Sequence, residues 1–203
     1  VTVPENPASV GMFIFGRGHP SDGEMYNVQV YNNVIKGTRS RAITIDGIDT
    51  INIYYNTFYG FNQTATYGMY HLNIDYNPTM INIKNNIFYG DEDYAVTTQG
   101  RNVFISSNAD AADINEEDYN LFYQEFSSQN IWVESGVDGY TMATIDDLFT
   151  DTGFEEHAVV SDPLFTNAPN DLTLADESPA IRAGTDVEID YDKDGNLRND
   201  PPS

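Results

Sequence analysis

The sequence predicts an all-β chain built as a parallel β-helix, a β-solenoid with three short strands per coil and an irregular C-terminal capping segment. Two observations carry that expectation. A ten-residue segment recurs with an asparagine at its sixth position, and apolar residues alternate with polar ones in short runs while no stretch holds a 3.6-residue period.

Residues 28–37, 51–60 and 81–90 align without gaps, their starts 23 and then 30 residues apart. A degraded fourth copy, 119–123, puts Asn120 where Asn33, Asn56 and Asn86 stand. Each copy reads as strand, corner, strand. Val28 and Val30, Ile51 and Ile53, and Ile81 and Ile83 alternate with polar residues, the period of a strand with one buried face. Asparagine suits the corner because it tolerates left-handed backbone geometry and bonds neighbouring main chain. Stacked coils would place these amides in a ladder about 4.8 Å apart. A period of about 20–30 residues with short strands is the pattern of coils that bury their faces only against neighbours. A hairpin sandwich is the alternative, and it would carry Asn-Gly or Asp-Gly turns between paired strands, which the corners of the repeat lack.

A third strand per coil is read at 12–15, 42–46, 69–75 and 95–99. Aligned on their ends, Ile14, Ile45, Ile74 and Thr98 share one inward position, and Met12, Ile43, Leu72 and Val96 another. Phe13, Phe15, Thr44, Asp46, His71, Asn73, Asp75, Thr97 and Gln99 are then expected to face outward. Residues 106–150 break the repeat, although 130–134 reads as one more strand. Thr144, followed by Asp147, predicts the start of a short helix capping the open end of the coils. The division expected is coils over 1–136 and a closing segment of the same domain over 137–203.

Composition narrows the function. The chain has 203 residues, enough for one domain with a sizeable core. Its 32 acidic and 9 basic residues give a formal charge of −23, which repels nucleic-acid phosphates and anionic lipid heads. Without cysteine a disulfide scaffold is ruled out, and no apolar run reaches the roughly 18 residues of a membrane span. The opening Val1-Thr2-Val3-Pro4 has no charged or apolar leader character, and the expectation is a fragment or processed product.

The repeat resembles the right-handed parallel β-helix coils of extracellular carbohydrate-active proteins of the pectate-lyase-like type. The run from Thr152-Gly153 through Asp162-Pro163-Leu164-Phe165, then Ser178-Pro179-Ala180-Ile181, Ala183-Gly184-Thr185 and Asp194-Gly195-Asn196-Leu197-Arg198, resembles the closing segment of many such proteins. The resemblance implies a secreted or cell-surface chain that binds or cleaves polysaccharide, as a lyase or glycoside hydrolase. It also implies further N-terminal coils in the parent protein. The other readings are a non-catalytic adhesive or structural β-helix that binds glycans or its own copies, and a phage-type receptor-binding fragment.

Four groups of residues are candidate sites. On the outward third-strand face, Asp46 and Asp75 fall on adjacent coils, where two carboxylates share a proton, bind calcium or act as an acid–base pair. Arg41 and His71 complete a catalytic set for lyase chemistry, with Tyr70 and Asn73 as substrate contacts. The run Asp190-Tyr191-Asp192-Lys193-Asp194-Gly195 resembles half of a calcium loop, with Asp190, Asp192 and Asp194 as ligands and no glutamate at its twelfth position. Arg17, in Gly16-Arg17-Gly18-His19-Pro20, sits in a turn at the border of a saccharide groove. The ordinary alternatives are a hydrophilic stacked face, an Asp-Gly surface turn and a strand-end turn. The Asn62-Gln63-Thr64 sequon and the asparagine ladder itself are read as non-catalytic.

Overall fold

The computed structural model describes residues 10–15, 26–38, 41–61, 69–75, 80–90, 102–107, 114–124, 130–134 and 139–198. The predicted turn at 16–20 and the predicted strand at 95–99, with Arg17 and the sequon, lie outside them. The described chain is all-β apart from one short helix, and its large sheets are parallel.

Consecutive strands are dealt to three sheets in turn. The first sheet takes β1 (Val10–Phe15), β4 (Arg41–Asp46), β7 (Met69–Asp75), β10 (Asn102–Ser107) and β13 (Asn130–Glu134). The second takes β2 (Val28–Tyr31), β5 (Thr50–Tyr54), β8 (Met80–Lys84) and β11 (Ile114–Asp118). The third takes β3 (Val34–Thr38), β6 (Thr57–Phe61), β9 (Ile87–Gly90), β12 (Leu121–Gln124) and β15 (Val159–Val160). Pairing follows the repeat: Val28, Ile51 and Ile81 are partners, as are Ile14, Ile45 and Ile74, and Met12, Ile43 and Leu72. This arrangement is compatible with a β-helix. After β7 the strand of the first sheet is Asn102–Ser107, whose Ile105 pairs with Leu72.

Register places like side chains over like. Phe58 and Phe88 stack at 4.9 Å, and Phe88 and Phe122 at 5.2 Å, with rings within 7° of parallel. These phenylalanines are fully buried, as are Ile51, Ile53, Ile81 and Ile83. Losing such a ring would cost about 3–5 kcal/mol, so the aromatic column is a large share of the core.

The asparagine ladder forms. Asn33 donates its main-chain N–H and Nδ2 to Asn56 Oδ1 (3.1 and 3.0 Å), Asn56 does the same to Asn86 (both 3.0 Å), and Asn86 to Asn120 (2.9 and 3.0 Å). Each buried amide also ties to the preceding coil: Asn56 Nδ2 to Val30 O, Asn86 Nδ2 to Ile53 O and Asn120 Nδ2 to Ile83 O, all at 2.9 Å. The left-handed residue is not the ladder asparagine but its predecessor: Asn32, Tyr55, Asn85 and Tyr119 have φ between 54° and 59°. A tyrosine held there costs about 1–2 kcal/mol. The asparagine's bonds to two coils offset that strain.

The ladder ends on a carboxyl group. Asn120 donates Nδ2 to Glu155 Oε1 (2.6 Å) and its N–H to Oε2 (3.4 Å). Glu155 is buried, and Glu117, also buried, pairs in register with Ile83 where the other coils carry an apolar residue. Burial first, and then the Glu117 charge, push the Glu155 carboxyl well above its ordinary range.

The closing segment covers this end. The helix α1 (Ile145–Thr152) carries Asp146 and Asp147 in its first turn, where the helix dipole favours acids, and buries Leu148. Its predicted Thr144 cap is otherwise engaged, because Thr144 Oγ1 accepts the Thr141 N–H (2.9 Å) and closes a 3-10 turn one step earlier. Gly153, at φ 80°, ends the helix, its N–H donating to Phe149 O. A short strand, β14 (Tyr140–Thr141), pairs antiparallel with β13, and β16 (Phe165–Asn167) with β17 (Asp171–Leu174). No helix among the described residues is long and apolar enough to cross a membrane.

Asn86→Ala removes a buried amide bonded in both directions and is expected to cost about 1–3 kcal/mol in chemical denaturation; an unchanged midpoint contradicts the ladder's role. Glu155 has a raised folded-state pKa, so its contribution is full at acid pH and is lost as pH rises above about 4.5. Glu155→Gln therefore gains in melting temperature over the parent as pH rises from about 4 to about 8; a difference independent of pH contradicts the protonated cap.

Candidate functional site

The predicted third-strand cluster is partly assembled. Asp46 and Asp75 are register partners on β4 and β7. Arg41 Nη1 lies 3.7 Å from Asp75 Oδ2, and Asn73 Nδ2 donates to the same oxygen at 2.7 Å. The Arg41 guanidinium lies 6.0 Å from the Tyr70 ring centre. Asp75 is thus held by a cation and an amide, and Arg41 and Tyr70 are its more accessible members. Asn73, Thr44 and Asp46, expected on an open face, are buried.

His71 departs furthest from expectation. It is 1 % exposed and lies in the aromatic column, its ring 5.0 Å from Phe104, 5.8 Å from Phe58 and 6.2 Å from Phe88. Strict alternation fails along these strands: residues 42–46, 71–74 and 104–106 are buried in unbroken runs that begin at Ala42, His71 and Phe104. The phenylalanines of the third sheet fill the space these first residues enter. Gly60 O faces Nε2 at 3.3 Å, and a carbonyl only accepts, so that nitrogen carries the proton. Burial lowers the His71 pKa to about 3, so the ring is neutral and enclosed. It does not serve as a base for an external substrate.

The acidic C-terminal loop is a turn that uses its own ligands. Asp192 Oδ1 accepts the N–H groups of Asp194 and Asn196 (both 2.8 Å), and its Oδ2 accepts Asn196 Nδ2 (3.0 Å). The Asn196 side chain is the largest cause holding the Asp192 carboxyl below its ordinary range. Asp194 pairs with Lys193 at 2.5 Å, and Asp190 contributes its main-chain oxygen to Arg198 N–H (2.7 Å). The Asp192 oxygens are thus taken up by amides, and Asp194 Oδ2 by an ammonium. Among the described residues no group of three or more His, Asp or Glu side chains is placed to hold a metal ion.

A different surface is more open. On the outer side of the second sheet, Asn115 Nδ2 donates to Asn82 Oδ1 (2.9 Å) and Asn82 Nδ2 to Asn52 Oδ1 (2.7 Å). Gln29 continues the row as the register partner of Asn52. One step along, Tyr31, Tyr54 and Lys84 are register partners. Tyr31 is 47 % exposed, Tyr54 donates its hydroxyl to Asn52 Oδ1 (3.2 Å), and Lys84 pairs with Glu116 at 2.6 Å. Burial first, and then Glu116, raise the Tyr54 pKa, so it stays a neutral donor. Its signal is in the sequence, at the second and fourth positions of each repeat copy.

Asp192→Ala should destabilise the closing segment by about 1 kcal/mol, and equally in calcium and in chelator. A loss seen only in calcium would restore the metal reading. Compared with family models, with curated proteins and with solved structures, the chain has no match.

Proposed function

We propose that this chain is part of a right-handed parallel β-helix of the extracellular carbohydrate-active type, secreted or held at a cell surface, and that it binds neutral polysaccharide. The observation that carries the reading is the outer row Gln29, Asn52, Asn82 and Asn115 with Tyr31 and Tyr54 beside it. A sugar hydroxyl both donates and accepts, and so does a primary amide. Asn82 and Asn115 each spend one N–H along the row and have a second for a ligand, and Gln29 spends one on Asn27 Oδ1 (2.9 Å). Tyrosine adds an apolar ring face and a polar tip. A row repeating about every 4.8 Å along four strands suits a repeating polymer better than a compact molecule.

Charge selects against acidic polymers, since a chain at −23 repels polyanions. Binding is favoured over cleavage because the histidine of the predicted catalytic set lies in the core, and Arg41 and Asp75 neutralise one another.

Affinity electrophoresis through neutral β-glucan, xylan, mannan or galactan should retard the protein, and pectate or alginate should not. Tyr31→Ala with Gln29→Ala, both exposed, should weaken retardation about tenfold, some 1.4 kcal/mol, while Arg41→Ala stays within about twofold. Free migration in every neutral gel, or release of unsaturated or reducing ends, counts against this reading.

A further inference from the structure

The outer row runs beside the corner where the second sheet passes into the third, and the C-terminal segment returns across that corner. Asn32 Nδ2 donates to Tyr191 O (2.8 Å) and Arg198 Nη2 to Asn32 Oδ1 (2.7 Å). The Arg198 guanidinium carbon lies over the Tyr55 ring, 3.5 Å from its centre. Tyr55 Oη and Asn85 Nδ2 both donate to Thr185 O (3.0 and 2.8 Å), and Thr185 N–H returns to Asn85 Oδ1 (2.9 Å). The left-handed residues of successive corners are thus the anchors of this strap.

Between strap and corner is a cleft of about 320 Å³. Ile87, Leu172, Leu174 and Ile181 give it apolar lining, and Lys193 and Asp194 line it as well. We infer that this cleft is a subsite for a single neutral pyranose unit.

Its size lies at the lower end of small-ligand sites, where apolar walls carry a few fixed polar groups. Its charges cancel: Lys193 is paired with Asp194, and Arg198 stands near Asp192. A net-neutral, donor-and-acceptor lining suits hydroxyls and gives a carboxylate no unpaired cation. The strap is fixed by hydrogen bonds on three corners, so a ligand has little chain to order. Tyr31 and Tyr54 of the outer row directly precede Asn32 and Tyr55 of the cleft, so a polymer along that row passes beside the opening. The inference rests on the polysaccharide reading for its ligand class, and a single sugar tests it separately.

The test is methyl NMR of the full chain titrated with glucose, mannose, galactose and xylose, with glucuronate and galacturonate as charged controls. Saturable shifts from at least one neutral sugar are expected at Ile87, Leu172 and Ile181. Leu172→Trp, which fills the cleft, should weaken them at least tenfold while the remaining methyl spectrum stays folded. Tyr31→Ala should leave them in place even where it abolishes retardation by polymer. Absence of cleft shifts with all four neutral sugars overturns the subsite, as does stronger binding of the uronates. Retention of neutral-sugar shifts in Leu172→Trp also overturns it. Free migration of the unsubstituted chain through every neutral polymer gel, with cleft shifts intact, overturns the outer-row reading and supports the subsite.

Discussion

A primary amide inside a coil must find partners for two N–H hydrogens and a carbonyl, and the asparagine ladder meets that demand by passing every bond in one direction. Asn33, Asn56 and Asn86 each donate to the next rung and accept at Oδ1 from the one before, except at the first. A directional chain of this kind must terminate on an acceptor. Glu155 supplies it, and its depth forces the acid to hold its proton, since an ionised carboxylate beside Glu117 would lack solvation. Coil spacing, corner strain at Tyr55 and Tyr119, and the docking of the closing segment all depend on that hydrogen-bonded line.

The core obeys the same preference for neutral forms. His71 sits among Phe58, Phe88 and Phe104 as a flat ring whose polar edge reaches Gly60 O, and burial depresses its basicity. Protonation therefore opposes the fold at His71 as pH falls below the ordinary imidazole range, whereas deprotonation opposes it at Glu155 as pH rises above the carboxylate range. The two buried groups limit the stable interval from opposite sides.

The outer surface divides its polar residues between structure and contact. Arg41, Asn73 and Asp75 satisfy each other, and Asp192 is consumed by its own turn. Gln29, Asn82 and Asn115 keep hydrogen-bonding capacity toward solvent, next to an exposed Tyr31. That contrast shifts attention from the acidic residues, which are the conspicuous feature of the composition, to the amides of the repeat.

Local order was legible in the sequence because coils stacked in register turn a repeat directly into neighbouring rungs. The ladder asparagines, the partners Ile14, Ile45 and Ile74, and the Asp46–Asp75 pair all follow from alignment alone. Orientation at the strand start was not legible: alternation puts His71 outside, but the phenylalanine column of another sheet draws it in. The same holds for the acidic loop, whose spacing suggests metal ligands until the hydrogen bonds of Asp192 are known. Glu155 and the strap over Tyr55 join residues 35 to 143 positions apart, outside any repeat. The sequence by itself determined how coil follows coil, because that depends on a period. Only the tertiary structure decided what ends the ladder, what covers its corners and which polar groups remain open, because those depend on contacts between segments that share no pattern.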